Sequence, residues 1–241
     1  MKTLLTEATN SHWKGLYKIS GVTTIAIMGF FLFDTVCWIA LGPYPSSAKD
    51  WFALLQENRF VGLLLLSFPT FFGTILYYLT FLGLYYILRP VNAAYAALAA
   101  LSAFVGLTIL IMTYFAYPIV YLSNQYAATP QAASRATLLM AAEVKLATTG
   151  MGLNIGGFFA EGALVTFSLL MLRSNVFGKG TAYLGILGHG LDFVRIIMNL
   201  TFILEGIGTI LLMIGGLPQF IWLILIGRKF LQLGWSQSAI S

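Results

Sequence analysis

Charge is what this sequence has least of. Only 9% of its 241 residues are Asp, Glu, Lys or Arg, against about a quarter in a soluble domain, so a soluble globular enzyme is excluded. Cysteine occurs once, as Cys37 within an apolar run. That excludes an internal disulfide and any multi-cysteine metal site, and Cys37 reads as a buried, inert thiol. Of the two histidines, His12 lies in the polar N-terminal stretch and reads as solvated. His189 alone sits in an apolar run, so haem held by two internal histidines is excluded. No apolar run carries a central lysine, which argues against a retinal Schiff base. The 24 Gly and 7 Pro follow no fixed period, which removes fibrous and disordered classes.

What is abundant is apolar sequence: 59% of residues, with a mean hydropathy of +0.87. A helix needs roughly 20 apolar residues to cross the hydrocarbon core, and six segments reach that length, at about 19–41, 60–88, 93–122, 149–172, 181–200 and 203–227. The expected fold is an all-α membrane protein, a single six-transmembrane-helix bundle with tails at 1–18 and 230–241. The first run is about 24 residues, too long for a signal-peptide core of roughly 7–15, so it is read as a retained span. The net charge of +5 and pI near 9.3 do not point to nucleic acid, because the basic residues flank apolar runs, where they set topology and meet lipid head groups. Lys2, Lys14, Lys18, Arg89, Arg173, Lys179, Arg228 and Lys229 fall on one side, and Lys49, Arg59, Arg135, Lys145 and Arg195 on the other. That bias places both termini in the cytoplasm.

Between the spans, 46–58 reads as an interfacial amphipathic helix capped by Ser47, and 131–147 as a helix that extends the fourth span. Pro69, Pro118 and Pro218 lie within spans and are read as kinks, because proline removes a backbone donor. Gly152-x-x-x-Gly156 predicts a close helix-packing face. The aromatic residues, 15% of the chain, read mainly as interfacial belts.

Glu57-Asn58-Arg59-Phe60-Val61-Gly62-Leu63 leads into the second span and Leu88-Arg89-Pro90-Val91-Asn92 closes it. Leu172-Arg173-Ser174 then precedes Tyr183-Leu184-Gly185-Ile186-Leu187 and Asp192, and Phe220-Ile221-Trp222-Leu223 and Gly227 follow. In order and spacing these segments resemble the six-helix bacterial membrane protein family of domain of unknown function 4386, from about Lys14 to Gly234. The resemblance implies a multi-pass protein of the bacterial cytoplasmic membrane and implies no activity. Gly188-His189-Gly190 departs from that family's pattern.

The informative residues are the ionisable ones within spans: Asp34, Glu161, Asp192, Arg195 and Glu205. At about 2.5–3.5 kcal/mol each, they would cost on the order of 12–17 kcal/mol uncompensated, so they must pair, lose charge or line a wet cavity. Positions 195 and 205 are equally far from the turn near residue 200, which predicts an Arg195–Glu205 ion pair, with Asp192 sharing the guanidinium. His189, Asp192, Arg195 and Asn199 form one helical stripe, and Asn154 and Glu161 share a face. Asp34, Asn154, Glu161, His189, Asp192, Arg195, Asn199 and Glu205 are therefore expected as one buried polar cluster, either a structural network or a ligand or proton site. A metal is not predicted. If one bound, His189, Asp192, Glu161 and Glu205 would be the candidate ligands.

No cofactor is predicted, and the expected partners are the lipid bilayer and, in the first of three functional readings, other membrane subunits. That first reading is a structural or accessory subunit of a membrane complex. The second is a small-solute or proton transporter that uses the polar cluster. The third is an intramembrane enzyme acting on a lipophilic substrate. An interruption of the fifth span at Gly188-His189-Gly190 would make it re-entrant.

Overall fold

The computed structural model describes residues 13–201 and 205–236, with 205, 206 and 209 described through their backbone alone. The described residues are helical with no strand: α1 Lys14–Leu41, α2 Ala48–Glu57, α3 Arg59–Leu65, α4 Phe68–Leu88, α5 Ala93–Thr113, α6 Ala116–Ala128, α7 Ala132–Met171, α8 Lys179–Leu200 and α9 Glu205–Trp235. Among the described residues, five stretches are long and apolar enough to cross a membrane: 14–41, 59–88, 93–128, 132–171 and 210–235. These make the chain a membrane protein. The 22-residue α8 is not among the five, because His189, Asp192, Arg195 and Asn199 dilute its hydropathy.

Local chemistry sets the helix ends. α1 stops at Gly42, whose φ of +94° suits a residue without a Cβ, and Pro43 follows. Ser47 caps α2 by accepting from the Asp50 amide and returns its own hydroxyl to Asp50 Oδ2 at 2.6 Å. Asn58 and Asn92 cap α3 and α5 through their side-chain oxygens.

Two of the three prolines do more than kink. In a continuous helix the ring of Pro69 would meet the carbonyl of Leu65, four residues earlier, and Pro118 would meet that of Tyr114. The structure ends α3 at Leu65, turns through Ser67 in the left-handed region (φ 55°), and restarts with Pro69 in the first turn of α4. α5 likewise ends at Thr113, and Pro118 falls in the first turn of α6. Pro218 stays inside α9. α7 runs unbroken over 40 residues, as expected of a fourth span that continues into 132–147. α8 passes through Gly188-His189-Gly190 without interruption.

The long helices pack in ring order α1, α4, α5, α7, α8, α9 and back to α1. Glycines set the closest approaches. A Cβ on Gly106 would lie 2.5 Å from the carbonyl oxygen of Gly156, so α5 and α7 touch backbone to backbone. Gly152 faces Thr113 in the same seam, so the expected glycine face packs on α5. α1 meets α9 where Gly21 accepts Leu231 and Gly227 accepts Thr24 and Ile25.

Two buried apolar clusters mark the two ends of the ring. One, around Tyr17, Phe81, Leu84, Phe167, Trp222 and Phe230, fills the end that carries Lys14, Arg89 and Arg173, hereafter the basic end. The other joins Trp51, Phe52 and Leu55 of α2 to Leu65, Leu66, Ala116, Ile119 and Ala142, and makes the capped end. Glu143 of α7 accepts from the Ala48 amide at 2.7 Å and ties the start of α2 to that end.

Candidate functional site: a polar cluster on a central cavity

Antiparallel packing of α7 on α8 puts the predicted polar residues in register. Glu161 Oε2 lies 2.8 Å from His189 Nδ1. Further toward the capped end, Asn199 donates to Asn154 Oδ1 at 3.2 Å. Between them Arg195 Nε donates to Asp192 Oδ1 at 2.5 Å within one helical turn. His189 is only 3% exposed and its Nε2 has no partner among the described residues. Its ring meets Trp222 edge-on, with centroids 4.7 Å apart. Six of the eight predicted residues thus assemble on one α7–α8 face.

Asp34 stands apart from these six. Its Oδ2 accepts from Thr70 of α4, and Oδ1 is buried without a partner among the described residues. In the ring order, α1 and α4 form the wall opposite α7 and α8. The side chain of Glu205 and the turn at 202–204 lie outside the described residues, and so do the expected Arg195–Glu205 pair, the beginning of the last span at 203, and His12. Among the described residues no three His, Cys, Asp or Glu side chains gather as a metal site.

Between the two walls is a cavity of about 920 Å³. It reaches Glu161, His189 and Asp192 at its deep side, and Tyr44, Ser46 and Trp51 beneath the capped end. Its wall is mostly aromatic and aliphatic, with Phe71, Tyr77, Phe81, Tyr114 and Phe220 among the rings. A smaller adjoining pocket holds Asn154, Arg195 and Asn199 and shares Glu161 and Asp192 with the first.

Several cavity residues were not among the expected site residues: Thr70, Thr74, Thr113, Thr149 and Gln219, and Tyr77 and Tyr114, which were read with the interfacial aromatics. Tyr is ordinary in spans as an interfacial residue, and Thr because its hydroxyl can bond a carbonyl of its own helix. Thr74 does so with Thr70 at 2.9 Å and Thr113 with Ile109 at 2.7 Å. Gln219 carried a usable signal, a primary amide beside Pro218 in an apolar helix. Its Nε2 donates to the Gly188 carbonyl at 3.0 Å. A Cβ at 188 would sit 2.8 Å from Gln219 Cγ, so the glycine before His189 lets α9 close on α8.

The helix breaks belong to the same site. Tyr114, at the α5–α6 break, donates to the Leu66 carbonyl at the α3–α4 break at 2.5 Å. The Thr113 carbonyl accepts from Lys145 Nζ at 2.9 Å and from Thr149 at 2.8 Å. Backbone groups freed within an apolar bundle are satisfied there by side chains, as hydrocarbon requires.

No curated protein and no solved structure matches the chain. The sequence model of domain of unknown function 4386 matches residues 21–227, most of the chain, and with it the glycine seams, the broken helices and the α7–α8 polar face: the protein belongs to the DUF4386 family.

Proposed function

We propose that this is a six-span protein of the bacterial cytoplasmic membrane, both termini inside, that acts as a carrier for a small organic solute. One observation carries the reading: a cavity of about 920 Å³ between the α1–α4 and α7–α8 walls, with paired ionisable side chains on its wall. Carriers use a midplane site with discontinuous helices beside it. The breaks at Ser67 and Tyr114–Phe115 lie on this cavity. α8 supplies the sixth span in this reading. Its polar stripe turns toward α7 and the cavity, while Tyr183, Leu187, Val194 and Ile197 are exposed for lipid. The basic residues at the Lys14 and Arg173 end favour that end as cytoplasmic.

The volume lies within the range that accepts drug-sized ligands, roughly 300–1,000 Å³. A purely structural network would close on itself, whereas the Glu161–His189 pair faces open space. The accessory-subunit reading has no comparable support, since exposed Ile39, Met112 and Leu217 are what lipid-facing helices present anywhere. For the enzyme reading, the described residues place no metal-ligand set beside the pair.

Native mass spectrometry of the full chain, released from lipid nanodiscs, tests the proposal. Wild type is expected to carry a small molecule of defined mass, and Leu110→Trp, which fills the cavity, to lose it. Reconstituted vesicles should then accumulate that compound, and Leu110→Trp vesicles should not. Equal retention by both proteins removes the carrier reading.

A further inference from the structure

The polar groups on the cavity wall have a sign. Thr149 donates its hydroxyl to the Thr113 carbonyl at 2.8 Å, Tyr114 to Leu66 at 2.5 Å, and Gln219 an amide hydrogen to Gly188 at 3.0 Å. The two hydroxyl protons are spent on backbone, so those oxygens face the cavity chiefly as acceptors, while Gln219 keeps one amide hydrogen beside its acceptor oxygen.

The ionisable groups add to the excess. Glu161 uses one oxygen on His189, and Asp192 one on Arg195; for the second oxygen of each, the described residues provide no donor. Both carboxylates line the cavity, and Glu161 keeps 17% of its side chain accessible. With Nδ1 donating to Glu161, the buried, unpartnered Nε2 of His189 is an acceptor as well.

No Lys or Arg lines the large cavity among the described residues. Arg195 lines the smaller adjoining pocket, where it is paired with Asp192, and Lys145 is held by the Thr113 carbonyl at 2.9 Å. Tyr77 can give or accept, and its ring, with those of Phe81 and Phe220, offers π-faces to a cation.

We infer that the ligand is a lipophilic protonated amine. Its ammonium group sits between Glu161 and Asp192, and its apolar body lies along the aromatic wall. The N–H bonds supply donors to the carboxylate oxygens that have none among the described residues, and the charge meets two carboxylates that share one guanidinium and one imidazole. An anionic ligand would meet those carboxylates in a medium that screens little, and a neutral alcohol could satisfy one acceptor. This inference rests on the cavity being a ligand site, the premise of the carrier reading.

The test uses three probes of one shape: 1-naphthylmethylamine, 1-naphthylmethanol and 1-naphthoic acid. Their binding to the full chain in nanodiscs is followed by naphthyl fluorescence, with empty nanodiscs subtracted. The amine is expected to bind at least tenfold tighter than the alcohol, and the acid not to bind. Glu161→Gln should bring the amine to the level of the alcohol. Amine and alcohol of equal affinity, or binding of the acid, would overturn the amine assignment and leave the cavity standing as a ligand site. Failure of all three probes overturns both. The wild-type series reads charge preference without any variant, and unchanged amine affinity in a folded Glu161→Gln protein overturns the assignment by itself.

Discussion

At the scale of single residues, the Glu161–His189 pair shows why a charge in an apolar helix is informative. Neither side chain would be tolerated facing lipid alone, and the structure joins them at 2.8 Å across α7 and α8. Removing one partner strands the other, and a buried group without its hydrogen bond costs about 1–3 kcal/mol. Glu161→Ala and His189→Ala should each lower the thermal midpoint in detergent. The double variant should lose less than the sum of the two, a deficit that a double-mutant cycle reads directly. Additive losses would mean that the pair is not coupled. Tyr114→Phe should also destabilise, by about 1–3 kcal/mol, because the Leu66 carbonyl then lies at a helix break without its phenol donor. An unchanged melting midpoint would show that another group replaces it.

At the scale of helices, the seams are set by residues that have no side chain. Gly188 and Gly190 flank the same histidine and are expected to behave oppositely. Alanine at 188 pushes against the α9 backbone, with its Cβ 2.9 Å from the Gln219 nitrogen, whereas nothing lies within 4 Å of a Cβ at 190. Gly188→Ala should destabilise by about 1–3 kcal/mol, as overpacking does. Gly190→Ala should be neutral or stabilising by up to about 1 kcal/mol, since alanine is the better helix former. Gly106→Ala presses backbone against backbone at the α5–α7 seam and should resemble Gly188→Ala. Paired melting curves for the 188 and 190 variants decide the point, and equal shifts would contradict the seam.

The breaks have an equally local cause. Pro69 and Pro118 exclude the carbonyls four residues before them, and each helix restarts with its proline in the first turn. Pro218 has the same chemistry inside an unbroken helix, so the neighbours decide whether a proline breaks a span or bends it.

For the whole molecule, the ring leaves a space that no single helix encodes. The proposed six-span topology predicts where its loops lie. In a Cys37→Ser background, a cysteine at Ser46 in the α1–α2 connection should react with an impermeant maleimide on intact cells. One at Asn175 between α7 and α8 should react only after permeabilisation. Labelling of both from outside would break the proposed orientation.

The class of protein, the helical stretches, the Ser47 cap, the glycine face and six of the eight residues expected in the polar cluster were legible in the sequence. Each depends on composition or on spacing within one helix, and hydrocarbon permits few alternatives to a helix. Charged residues too expensive to face lipid had to meet each other, so Glu161, His189, Asp192 and Arg195 could be named in advance. The separation of Asp34 from that group could not, because it depends on which helices become neighbours around the ring. The cavity was equally hidden: its threonines and tyrosines are ordinary residues of an apolar helix, and nothing along one helix says which of them line a common space. Which donors are spent, and which acceptors still face open space, is a property of side chains from several helices meeting at one depth. Only the tertiary structure decides that.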